Sequence, residues 1–174
     1  LWVQIRDDSP LDGSGGATVF GHDIILVDTA GVELRGSEID FLPAIAGARL
    51  RDGALVADGS ETMLFEYDLA SLRDKGFDPE TITAATVEMA VANDYRVELA
   101  SDLQTDGERF NPETVFLTYG RAEGNVQDDS NGELLRLGYG LPTGNELIGL
   151  NWDLVHLGGL SVQGEAVLNR QHRR

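Results

Sequence analysis

The chain has 174 residues, 41% hydrophobic and 7% aromatic, no cysteine, and a formal charge of −17 from thirty Asp and Glu against thirteen Lys and Arg. That length suffices for one domain burying roughly 70% of its unfolded surface, and the lack of cysteine excludes disulfides, thiolate zinc sites and cysteine nucleophiles. The negative field repels phosphate backbones and anionic head groups, which argues against nucleic acid and against membrane surfaces as partners.

The basic residues are skewed, with Lys75 the only lysine against twelve arginines. An acid-rich, lysine-poor surface suits high salt, where screening removes the repulsion between carboxylates. An acidic protein from a high-GC genome would give the same skew. No stretch approaches the roughly 18 continuous apolar residues of a membrane helix, and no membrane insertion is expected. The chain opens on Leu1-Trp2 without an initiator Met or leader pattern, and it closes directly after a strand-like run. It reads as a single sandwich domain over residues 1–174, taken from a longer secreted or surface protein of a bacterium.

Strand signals dominate in chain order. Runs rich in Val, Ile, Leu, Thr and aromatics predict strands at Trp2–Arg6, Thr18–Val27, Val32–Leu34, Thr62–Tyr67 and Ile82–Val91. Further runs follow at Tyr95–Leu99, Thr114–Tyr119, Leu134–Tyr139, Leu147–Val155 and Leu160–Asn169. Gly, Asp and Asn clusters such as Arg51-Asp52-Gly53 and Asp106-Gly107 punctuate them, residues that accept tight-turn conformations. Asp68–Lys75 predicts two helical turns stopped by Gly76, and Pro79-Glu80 predicts one more. About ten short strands with so little helix predict an all-β, two-sheet antiparallel sandwich of jelly-roll type.

Side chains alternate along a strand, so one parity of each run should face the core. Tyr67, Tyr95, Tyr119, Tyr139 and Trp152 all fall on the apolar parity and are expected in the core rather than on a ligand. Two aromatics fall on the polar parity. Trp2 shares its face with Gln4 and Arg6, and Phe116 sits between Thr114 and Thr118. An aromatic among polar groups is what stacking on a sugar ring requires. Packing of Trp2 on a neighbouring domain, and of Phe116 under a loop, would account for them equally.

Metal and catalytic patterns are sparse. Asp102, Gln104, Asp106 and Gly107, followed by Glu113, meet a calcium-loop spacing that sets oxygen ligands at alternate positions with a terminal bidentate Glu. Gln104 replaces the usual Asp or Asn, Arg109 takes a normally aliphatic place and Pro112 precedes the Glu, so an ordinary Asp-Gly turn competes with a structural Ca2+ site. The acidic loops Asp128–Glu133 and Asp7–Asp12 fail the same template. The three histidines lack metal spacing, and no nucleophile elbow or nucleotide loop is present. Glu88, Glu98 and Glu165 lie on polar parities, as a pair of glycosidase carboxylates would, but so do many of thirty acids.

The strand order, and stretches such as Leu50–Gly59 leading into Met63–Tyr67, resemble galactose-binding-like jelly-roll domains, the carbohydrate-binding-module-like sandwiches of bacterial secreted proteins. The resemblance covers about residues 18–170 and implies a non-catalytic accessory module that binds glycans outside the cell, often with a structural calcium. The closing runs Leu147–Val155 and Leu160–Asn169 also resemble hairpins of bacterial outer-membrane barrels. The leading expectation is therefore an extracellular or cell-surface module binding a polysaccharide on its polar sheet face. Trp2 and Phe116 would stack, while Arg96, Glu98, Asn151 and Asp153 meet hydroxyls. A structural domain of a stalk, adhesin or filament, contacting neighbouring domains of the parent protein, is the alternative, and an enzyme acting on polysaccharide comes third.

Overall fold

A computed structural model describes residues 1–8, 16–59, 61–101, 115–140, 143–157 and 160–173. The chain forms two compact units, Leu1–Gly140 and Leu141–Arg174. The first is an antiparallel sandwich with eleven strands among the described residues: β1 (Trp2–Arg6), β2 (Thr18–Asp28), β3 (Glu33–Arg35), β4 (Ala44–Ala46), β5 (Ala48–Arg51), β6 (Ala54–Ala57), β7 (Thr62–Glu66), β8 (Ile82–Ala92), β9 (Arg96–Ala100), β10 (Leu117–Arg121) and β11 (Glu133–Gly140). The second is a long hairpin of β12 (Thr143–Leu157) and β13 (Leu160–Arg173), two strands that pair with each other. The all-β sandwich expected from the strand pattern is the observed fold.

One sheet of the sandwich has the order β10-β9-β1-β7-β4, and the other β11-β8-β2-β6-β5 with β3 on β2. Every pairing within them is antiparallel. Alternation explains the core. Val3, Ile5, Met63, Phe65 and Val97 bury from the first sheet, and Ile24, Leu26, Val87, Met89 and Leu137 from the second. At roughly 1.5–3 kcal/mol for each fully buried large apolar side chain, this layer is the main stabilising term.

The helical expectation is met by a 3-10 segment at Leu69–Lys75. Asp68 caps it by accepting from the Ala70 amide at 3.1 Å, and Gly76 ends it at φ 85°. Such a left-handed terminus favours glycine because a Cβ crowds there. A second 3-10 turn covers Pro79–Thr81, under the same kind of cap from Asp78. A third, Gly36–Glu38, was not expected.

Two expectations need correction. The short strands β4, β5 and β6 are additional to those the sequence predicts, because three or four residues carry at most two periods of alternation. Tyr119 and its parity mates Val115 and Leu117 are exposed by 50%, 65% and 57%, not core. Leu117 does stand opposite Leu99 on the inward parity, but β10 is an edge strand, with a register break between Thr118 and Gly120. The Tyr119 hydroxyl instead donates to the Arg136 carbonyl of β11 at 2.9 Å, tying this edge to the other sheet. Tyr67 and Tyr95 are buried as expected, and Tyr139 is half-buried with its hydroxyl 2.6 Å from Ser101 Oγ.

Candidate functional site

The outer face of the first sheet carries the most organised polar group. In β1, Val3 and Ile5 point into the core, so Gln4 and Arg6 take the outer face. Register then sets Arg6 opposite Arg96, Gln4 opposite Glu98, and Thr118 opposite Glu98 on its other side. Arg121 in turn stands opposite Arg96, so three arginines form a row across β1, β9 and β10.

Glu98 anchors the group at 4% exposure. A buried carboxylate must be paired, because desolvation of a lone charge is costly. Arg6 Nη2 donates to Glu98 Oε1 at 2.9 Å, and Arg96 Nε lies 2.9 Å from the same oxygen. Arg96 Nη2 donates to Thr118 Oγ1 at 2.8 Å, and that hydroxyl donates to Glu98 Oε1 at 3.3 Å. The result is a rigid polar platform on a sheet face, with both guanidiniums partly open to solvent. Beside it Asp8, Arg121, Ala122, Glu123 and Gly124 line an open hollow, where Arg121 Nη1 approaches Asp8 Oδ2 at 3.9 Å.

The expected ligand residues divide. Arg96 and Glu98 stand together in this platform, and half-buried Phe116 precedes Thr118 by two residues. Trp2 is a correction: the residue is 3% exposed and offers no open stacking surface. Trp2 keeps the parity of Gln4 and Arg6 and stands between Glu66 of β7 and Ala100 of β9. Asn151 and Asp153 fall on β12, opposite Glu165 and Gln163, in the separate hairpin unit, and their side chains are outside the described part. Asp102, Gln104, Asp106 and Glu113 lie outside the described residues. Arg6, Thr118 and Arg121 were not singled out from the sequence; Arg6 showed its outer parity, but only the register reveals its neighbours.

The second sheet carries a parallel arrangement on its own outer face. Glu88 lies opposite Asp23 and Arg136 in register and is held by Arg35 Nη1 at 3.0 Å and Arg136 Nε at 3.0 Å. Burial works to raise the Asp23 carboxyl. Hydrogen bonds from the Ser37 hydroxyl and amide, the Ile24 amide and Arg35 outweigh it, and its pKa falls below the ordinary value. Glu88 and Glu98 thus sit on different sheets, each committed to two arginines, and do not form a carboxylate pair for glycoside cleavage.

The acidic loop Asp128–Glu133 is closed by protein groups. Asn93 Nδ2 donates to Asp129 Oδ1 and to Thr18 Oγ1, both at 2.8 Å, while Asn93 Oδ1 accepts from the Asp129 amide at 2.8 Å. Asn131 Oδ1 accepts from the Asn93 amide at 2.7 Å. Among the described residues no group of three or more His, Cys, Asp or Glu is placed to hold a metal ion. No family model, curated protein or solved structure matches the chain.

Proposed function

We propose that the chain is a non-catalytic, extracellular or cell-surface glycan-binding module, and that its binding face is the outer surface of the β10-β9-β1-β7-β4 sheet. The observation that carries this reading is the fixed Arg6–Glu98–Arg96–Thr118 group on a sheet face. Sugars present hydroxyls in a plane, and a flat surface with pre-positioned donors and acceptors loses little entropy in meeting them. Phe116 supplies the apolar surface for the C–H side of a ring. Against the overall charge of −17, the row Arg6, Arg96 and Arg121 outnumbers its partners Glu98 and Asp8, so where salt screens the long-range repulsion this face favours sugars bearing carboxylate or sulfate, groups that guanidinium pairs bidentately.

The test is affinity electrophoresis through gels containing neutral and acidic polysaccharides, run with calcium and with a chelator. The chelator arm examines the Asp102–Glu113 pattern. Wild type is expected to be retarded by at least one acidic polysaccharide. Arg96→Ala and Phe116→Ala should each weaken that retardation about tenfold, the loss expected for one charged hydrogen bond or one stacking contact. Unchanged retardation in both variants, or a wild type that runs free through every gel, would contradict the reading.

A further inference from the structure

The hairpin of β12 and β13 is a compact unit of its own. Its strands run fifteen and fourteen residues, against a usual five or six in water-soluble sheets. The register sets Ile148 opposite Leu168, Leu150 opposite Ala166 and Leu154 opposite Val162, which gives one face apolar positions on both strands. The other face pairs Asn151 with Glu165 and Asp153 with Gln163, and nearer the open end Gly149 with Val167, which is 56% exposed, and Leu147 with Asn169, so it is polar only toward the turn. Ile148 and Leu168 are 52% and 58% exposed. The next pair toward the open end on the apolar face is Glu146 with Arg170, so charge bounds the band there.

We propose that β12–β13 crosses a lipid bilayer, with the apolar face against acyl chains and the Asn151–Asp153 face toward water. A strand tilted through the hydrocarbon needs about 9–11 residues, and the apolar band from Leu160 to Leu168 spans about nine. A two-stranded hairpin is marginal in water, and an apolar face with a polar reverse is what a bilayer on one side and water on the other select. Among the described residues no helix is long and apolar enough to cross a membrane. The charge of −17 opposes anionic head groups, but this face of the hairpin presents no charge between Ile148 and Leu154. Unpaired strand edges are not tolerated in hydrocarbon, so the inserted hairpin is flanked by further strands, supplied by other copies when this chain is the only protein. The inference stands apart from the glycan reading, and either can fail without the other.

The natural chain has no cysteine, so single cysteines report cleanly. Full-length chains carrying Ile148→Cys, Gly149→Cys, Leu150→Cys, Asn151→Cys, Asp153→Cys or Leu154→Cys are labelled with a small polarity-sensitive fluorophore. They are then diluted from urea into phosphatidylcholine vesicles with nitroxide-labelled acyl chains. Labels at 148, 150 and 154 are expected to be quenched several-fold more than those at 149, 151 and 153, and chemical crosslinking should capture oligomers. Far-UV dichroism checks that each labelled chain keeps its strand signal, and Val162→Cys and Gln163→Cys repeat the comparison on β13. Absence of lipid quenching, or quenching without alternation, overturns the proposal. Alternating shifts without vesicles that grow with protein concentration also overturn it, since they assign the apolar face to a second copy.

Discussion

At the residue scale, the structure turns several polar side chains into fasteners whose removal has a defined cost. Asn93 holds φ 69°, a left-handed conformation that Asn tolerates better than most residues, and its amide joins Thr18 to Asp129. Asn93→Ala removes three side-chain hydrogen bonds at the β8–β9 turn and should destabilise the sandwich by about 2–4 kcal/mol. Urea unfolding reads this directly: a lower midpoint at unchanged slope is expected, and a loss under about 0.5 kcal/mol would contradict the assigned role. His22 supplies a pH dependence. Its ring meets Phe65 edge-on at 5.2 Å, its Nδ1 has no hydrogen-bond partner, and burial lowers its pKa despite the opposing charge of Asp23. The unfolded chain therefore takes up a proton near pH 6.5 while the folded one resists, so the contribution is fully present above pH 6.5 and declines below it. Asp23, also depressed, loses its contribution only as pH falls below its ordinary 3.8, so the two windows separate. Melting temperatures at pH 7.5 and 5.5 should diverge between wild type and His22→Met, with the variant lacking the His22 share of acid destabilisation. Identical pH slopes would refute that origin.

At the element scale, what could be read from the sequence was what repeats locally. The Asp68 cap and the Gly76 stop lie within nine residues of each other, and the alternation of Met63, Phe65 and Tyr67 fixes the buried face of β7 without reference to any other strand. Position within a sheet is a different kind of property. Leu117 has the facing that parity predicts and is nonetheless 57% exposed, because β10 is an edge strand. That order depends on pairings between residues almost a hundred positions apart, such as Arg6 with Arg96, which no local pattern encodes. The same reason hid the candidate site. Arg96 and Glu98 were visible as polar-face residues, whereas Arg6, Thr118 and Arg121 join them only through register.

At the scale of the whole molecule, charge is arranged rather than merely abundant. Each sheet of the sandwich carries a buried glutamate between two arginines on its outer face, Glu98 with Arg6 and Arg96 and Glu88 with Arg35 and Arg136. Four of the chain's twelve arginines are thereby spent on two carboxylates. The two faces differ in what surrounds the group. Beside Glu98 lie a third arginine and the hollow near Asp8, while Glu88 is backed by Asp23, which accepts from Arg35 Nη1 at 3.4 Å and from the Ser37 hydroxyl at 2.8 Å. The central claim is that the first face, not the second, meets a glycan. Nitrogen-15 amide spectra of the chain titrated with an acidic oligosaccharide distinguish them most directly. Shifts concentrated at Arg6, Arg96, Glu98 and Thr118 are predicted; shifts centred on Arg35, Glu88 and Arg136, or none at saturating sugar, would contradict the account.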